Sequence, residues 1–348
     1  MPTTRPTNAR AFTLVELLVV VAIIALLIGI LVPALGGARK EAQRLTIANN
    51  MRSIALAVNA YGATSGVLPP SYVYGSKTSG ASWKIADQLD DPSEPINGYV
   101  HWSYAVVGEE TEESEAFESP MVTNGGAPRT NPGPRAEDWE LGWQKDETQN
   151  STPQNAPKDR QSPRIAYGGN HAIFPRNKVI DPKQVGNTRR NVLVNPSVIK
   201  APSRVILAAE FADRADWKSI QDTEEIGVSK SHRPITPFTP TGSGSIYNAP
   251  DTAGRTKPQF AYPELRAILE YNQISEAMMN LGGHDLNAVG REHPGGSSTE
   301  GGTTHFVFLD GHVEKLLLKD TIINGLWGDR FYSISGSNTK VYNPNEPK

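Results

Sequence analysis

The chain has 348 residues, with 34 Lys and Arg against 37 Asp and Glu, for a formal net charge of −3. That balance carries no basic footprint for nucleic acid, and with no cysteine neither a disulfide nor a thiol nucleophile is available. With 31 glycines, 27 prolines and only 38% hydrophobic residues, long loop excursions around a modest core are expected.

Residues 1–11 contain Arg5 and Arg10 and no acid. From Leu17 to Leu35 there is no charged side chain. That run is close to the ~20 apolar residues a membrane-spanning helix needs. Positive flanks stay cytoplasmic, so the N-terminus is read as inside and the chain after Leu35 as outside. The alternatives are a simple signal anchor or a secretory signal peptide. A signal peptide has a shorter apolar core, about 7–15 residues, followed by a small-residue cleavage site. Here the small residue, Ala11, precedes a longer run.

One carboxylate, Glu16, sits at the N-terminal edge of this run. An acid costs about 2–3 kcal/mol at the centre of a membrane helix and less near the interface. Such a group is usually functional and needs a partner. The plain alternative is a snorkelling acid with none.

The stretch Arg10-Ala11-Phe12-Thr13-Leu14-Val15-Glu16-Leu17-Leu18-Val19-Val20 resembles the cleavage and methylation signal of type IV prepilins and type II secretion pseudopilins. The resemblance covers roughly residues 5 to 61. It implies a leader, residues 1–11, cut by a prepilin peptidase between Ala11 and Phe12. It also implies N-methylation of Phe12, with Glu16 as the assembly acid. The family usually has Gly before the cut, and Ala also occurs. Pro33 falls where many pilins carry a helix-loosening proline.

The implied protein is a structural subunit, not an enzyme, of a type II secretion or type IV pilus-like filament; the alternative is a minor tip subunit or membrane-anchored binding protein that presents the globular domain to a ligand or cargo. It is single-pass in the bacterial inner membrane with its C-terminal domain extracytoplasmic. Its implied partners are the prepilin peptidase, other pilin-like subunits and inner-membrane lipid, with no nucleic acid. In the filament, the Phe12 amine of one subunit is expected to neutralise Glu16 of a neighbour. The implied fold is α+β and pilin-like: a long N-terminal helix packed on an antiparallel sheet with long loop insertions. The helix is expected over 12–62, its membrane part over 12–35, and the outer domain over 63–348.

Beyond Leu35, Gly36-Gly37 is read as a loosening point and Pro33 as a kink. Leu45, Ala48, Met51, Ile54 or Ala55, Val58 and Tyr61 recur at helical spacing and predict the face meant for the domain. Arg44, Asn49 or Asn50, Arg52 and Asn59 fall on the opposite face, and Gly62 is the predicted stop.

Val67-Leu68-Pro69-Pro70 is a rigid exit. Residues 96–107 read as a strand whose aromatics fill the core. The acid run Glu109 to Glu115 reads as a solvated surface, with a hard-cation site as the sharper option. Residues 123–163 and 236–258 are read as irregular excursions. Arg164 to Phe174 reads as a strand with a turn, and Arg204 to Glu210 as a buried strand.

Thr303 to Leu309 alternates with period two, Asp310-Gly311 is a hairpin turn signal, and His312 to Leu317 is the return strand. Together with His293-Pro294-Gly295-Gly296, the region about 284–318 resembles the H-X9-DG domain that accompanies prepilin signals. Sixteen residues, not nine, separate His293 from Asp310. Either an insertion over 297–304 lengthens the spacing or His293 is not the equivalent residue. Gly295 to Ser298 is read as a flexible link.

His284, Asp285, His293, His305, Asp310 and His312 offer imidazole and carboxylate groups suited to a transition metal. No spacing fixes a ligand set, so these residues are read as a turn with ordinary hydrogen bonds. Neither a metal nor another cofactor is expected. A membrane-anchored hydrolase using this cluster is the enzyme-class alternative, and no catalytic motif supports it.

Overall fold

The computed structural model describes residues 13–74, 99–108, 111–129, 133, 158–176, 191–213, 234–242, 246, 258–274, 285–336 and 338–346. The chain divides into two compact units, Met1–Thr46 and Ile47–Lys348.

Helix α1 runs from Leu14 to Ser65 and is uninterrupted at Pro33, Gly36 and Gly37. In its first unit, the large apolar side chains from Leu14 to Leu35 are exposed. Among the described residues this is the one helix long and apolar enough to cross a membrane. Its end departs from expectation. Gly62 stays helical, and the stop is Gly66, whose φ is +72° and whose N–H donates to Gly62 O at 2.9 Å. A left-handed residue closing the last turn is the usual role of glycine at that place. Gly62 is instead a packing position, buried near Leu68 and Pro196.

In the second unit the buried face of α1 is Ile47, Met51, Ile54, Ala55, Val58 and Gly62. Each large side chain among these contributes about 1.5–3 kcal/mol of burial. The face begins at Ile47, whereas Leu45 is exposed. Asn50 and Asn59 border this stripe and are not remote from the domain. Asn50 Nδ2 donates to Glu118 O and Asn59 Nδ2 to Leu309 O, each at 3.0 Å.

After the Pro-Pro exit come β1 (Tyr72–Tyr74), β2 (Tyr99–His101) and helix α2 (Trp102–Val107). β1 and β2 pair antiparallel. Of the predicted strand over 96–107, Tyr99–His101 is strand and Trp102–Val107 is helix, while 96–98 lie outside the described residues. His101 turns the chain into helix, its Nδ1 accepting from Ser103 N–H at 3.2 Å. Trp102 fills the core as expected, edge-on to Phe117 and against Phe174. Part of the acid run forms a 3-10 helix, Glu112–Phe117, capped by Thr111. Glu109 and Glu110 lie outside the described residues.

Next come β3 (Ala127–Pro128), β4 (Arg164–Ile165), β5 (Tyr167–Gly169), β6 (Ile206–Glu210), β7 (Thr239–Pro240) and β8 (Phe260–Ala261). The C-terminal part holds β9 (His293–Ser297), β10 (Gly301–Phe308), β11 (Val313–Leu316), helix α3 (Leu318–Ile323) and β12 (Val341–Tyr342). The main sheet has the order β11-β10-β6-β5, with β9 also on β10, and every pairing in it is antiparallel. β6 is buried throughout, as its apolar run predicts. At the β11 edge, Glu314 and Lys315 are exposed, and such charges discourage further strand pairing. A smaller sheet joins β12, β8 and β7, with β12 parallel to β8.

The α+β arrangement, a long apolar helix followed by antiparallel sheets, is the one expected of a pilin-like chain. The β10–β11 turn is longer than predicted. Phe308 N–H donates to His312 O, and Gly311 N–H to Phe308 O. Leu309 is drawn out of the ladder because its N–H donates to Val205 O at 2.9 Å. The loop is therefore Leu309-Asp310-Gly311, closed by a left-handed Gly311 at φ +95°, which is the usual geometry of a three-residue hairpin.

Candidate functional site

The first candidate site is the N-terminal turn of α1. Thr13 precedes the helix, and its Oγ1 accepts from Glu16 N–H at 3.2 Å. Glu16 Oε2 in turn accepts from Thr13 N–H and from Thr13 Oγ1–H, each at 2.8 Å. This is a reciprocal capping box: it satisfies backbone donors that a helix start otherwise leaves open. Glu16 therefore has a local partner that was not read from the sequence. The pattern Thr-x-x-Glu was the available signal. Ala11 and Phe12, the residues expected at the cut, lie outside the described residues.

The second candidate site lies where β6, β9 and β10 meet. The register pairs Phe306 with Ala209 and Thr303 with His293. β6 ends at Glu210 and β9 begins at His293, each against β10 near His305. Close backbone approach makes this possible. A Cβ on Gly302 would stand 1.7 Å from His293 O, and Gly302 N–H donates to Arg291 O at 2.6 Å. Only glycine fits there. The segment read as a flexible link is therefore strand β9, turning back on β10 from Ser297 to Gly301. This hairpin occupies part of the long interval between His293 and Asp310.

His293 Nε2 lies 2.7 Å from Glu210 Oε2, and His305 Nδ1 lies 3.1 Å from the same oxygen. The two ring nitrogens are 3.3 Å apart, with the rings edge to face. Thr304 Oγ1 and His305 N–H also donate to Glu210 Oε2, each at 3.2 Å, and Ser119 Oγ donates to Oε1 at 3.4 Å. Glu210, His293 and His305 are all buried. Burial pushes the Glu210 carboxyl up, but hydrogen bonds and charge from His293 and His305 outweigh it and hold the group at about 2.

Of the residues singled out in the sequence, His293 and His305 come together here. Asp310 and His312 form a separate, half-exposed pair, His312 N–H donating to Asp310 Oδ1 at 3.2 Å while its ring stacks on Phe308. His284 lies outside the described residues, as does the Asp285 side chain. Glu210 is the member sequence reasoning missed, having been read only as the end of a strand. An acid closing an otherwise apolar buried run was the signal that marked it.

Residues 6–32 match the prokaryotic N-terminal methylation motif. The chain thus carries a prepilin-type N-terminal signal on a helix of membrane-spanning length and composition. No curated protein and no solved structure matches the chain.

Proposed function

We propose that this chain is a structural, pilin-like subunit. A prepilin peptidase cuts it between Ala11 and Phe12, it is held in the inner membrane by residues 12–35, and it assembles into a type II secretion or type IV pilus-like filament. The observation that carries the reading is the methylation motif over residues 6–32, on a helix whose apolar side chains from Leu14 to Leu35 are all exposed. So much bare apolar surface needs lipid or other helices to cover it.

In this reading residues 63–348 are the extracytoplasmic domain, and the Asp310-Gly311 hairpin with His293 supports a divergent H-X9-DG-like region over about 284–318. Glu16 awaits the methylated amine of a neighbouring Phe12. The protein is a substrate of processing and not itself a catalyst. Mass spectrometry of the native N-terminus tests this: a chain beginning at N-methylated Phe12 supports it, and one retaining Met1 overturns it.

A minor subunit at a filament tip is the second reading. It is favoured by the size of the second unit, Ile47–Lys348, since a repeating subunit must tolerate neighbours on every side. Immunogold labelling separates the two: gold along filaments marks a major subunit, gold at tips a minor one.

A further inference from the structure

We propose that Glu210, His293 and His305 bind one divalent transition-metal ion of the zinc class, which clips β6, β9 and β10 together. Nothing in the subunit role requires such a site, and it lies on different residues from the N-terminal signal.

The geometry is the first argument. Glu210 Oε2, His293 Nε2 and His305 Nδ1 form a triangle with sides of 2.7, 3.1 and 3.3 Å. A tetrahedral ion with N and O ligands at about 2.0–2.1 Å spaces them about 3.3–3.4 Å apart. Small side-chain shifts turn the triangle into one face of that tetrahedron, leaving the fourth corner for water. Two imidazoles and a carboxylate are a donor set suited to zinc and its first-row neighbours.

Crowding on one oxygen is the second argument. Glu210 Oε2 is approached by His293 Nε2, His305 Nδ1, His305 N–H and Thr304 Oγ1, while among the described residues Oε1 has only Ser119 Oγ. A carboxylate oxygen offers about two lone-pair sites. If both ring nitrogens carried protons, two N–H groups would crowd each other as well as that oxygen. A cation removes the conflict by taking a lone pair from each ring and from Oε2. Thr304 Oγ1 and the His305 amide are then left as the donors that orient the carboxylate.

His293 supplies a third observation. Its Nδ1 is buried and makes no hydrogen bond among the described residues. No donor at Nδ1 therefore fixes the tautomer, so a cation that takes the place of the Nε2 proton facing Glu210 finds a lone pair there as the proton moves to Nδ1. A clip also suits a chain that has no cysteine, because a structural metal does for a domain what a disulfide does elsewhere.

The test uses the full-length chain in detergent, stripped with a chelator and titrated with Zn²⁺ or Co²⁺ alone. About one ion per chain is expected. Co²⁺ should give the intense visible absorption of a tetrahedral site, and Zn²⁺ should raise the thermal midpoint. Glu210→Gln and His305→Gln should weaken binding by roughly 100-fold or more, and Thr304→Val, which removes only a positioning hydroxyl, by about 10- to 100-fold. Wild-type chain that takes up neither ion overturns the proposal without any variant. So does binding that survives both Glu210→Gln and His305→Gln unchanged, since the ion would then sit elsewhere.

Discussion

Three hydrogen bonds join Thr13 and Glu16: the hydroxyl of one accepts from the backbone of the other, and the carboxylate accepts from both donors of the threonine. Glu16 thus has two separable duties, capping its own helix and, in the proposed filament, meeting the amine of a neighbour. Two substitutions separate them. Glu16→Gln keeps a capping-box acceptor but removes the charge. Thr13→Ala keeps the charge but removes the cap, at about 0.5–2 kcal/mol of helix stability. If charge pairing drives assembly, Glu16→Gln chains should be inserted and processed but absent from filaments, while Thr13→Ala chains still assemble. Filament incorporation scored by immunoblot of sheared fractions reads this directly, and normal assembly of Glu16→Gln would leave capping as the only role.

The end of the same helix sets two glycines against each other. Gly66 sits at φ +72°, where a Cβ is strained, so Gly66→Ala should cost about 1–2 kcal/mol. Gly62 is helical, and an added Cβ would meet Leu68 and Pro196 at an ordinary 3.7 Å. Gly62→Ala should therefore be neutral or stabilising by up to about 1 kcal/mol. Gly66→Ala should lower the denaturant midpoint, and Gly62→Ala should leave it unchanged or raise it. The reverse order would put the helix end at Gly62.

His101 and His171 are buried, and burial pushes both imidazoles down, His101 to about 3. The Arg176 charge pushes His171 in the same direction. In the unfolded chain each titrates near 6.5. For His101, between about 3 and 6.5 the unfolded state binds more protons, so its contribution to stability is full above about pH 6.5 and is lost as pH falls towards 3, and His171 acts in the same direction. Each histidine contributes a slope of up to about 1.4 kcal/mol per pH unit. His101→Asn keeps a side-chain acceptor for Ser103 N–H but cannot titrate. Thermal midpoints from pH 7.5 down to 4.5 should fall less steeply for His101→Asn than for wild type.

Local pattern carried the sequence reading as far as single elements go. The apolar N-terminal helix, the buried strand Ile206–Glu210 and the β10–β11 hairpin were all legible, because their periodicity is written in adjacent residues. What failed depends on contacts that no periodicity carries, most of them distant in the chain. The Asp310-Gly311 turn gained a residue because Leu309 N–H is taken by Val205, and no hairpin rule contains Val205. His101 starts a helix inside a run that alternates like a strand, because its ring caps Ser103. Glu210 reaches His293 and His305 across 83 and 95 residues, so no spacing motif could have joined them.

Asn170 shows the same dependence in the core. It is fully buried, and its Nδ2 donates to Ile206 O at 2.8 Å and Trp327 O at 3.0 Å, while its Oδ1 accepts from Ala172 N–H at 2.8 Å. One amide thus joins the end of β5, the start of β6 and the segment after α3. Asn170→Ala removes these three hydrogen bonds, and each buried group left unsatisfied costs about 1–3 kcal/mol. Asn170→Asp keeps the acceptor but turns an oxygen towards two carbonyl oxygens. Burial and those carbonyls must raise the pKa of the new carboxyl above its unfolded value. Its penalty is then full above that raised pKa, shrinks as pH falls below it and the folded carboxyl regains a donor proton, and is gone below the unfolded value of about 3.9. Measured against wild type at each pH, the Asn170→Asp deficit in denaturant midpoint should narrow from pH 7 to pH 4, whereas the Asn170→Ala deficit should stay constant. A constant deficit in both would mean that the side chain fills space there and does not hold the two carbonyls.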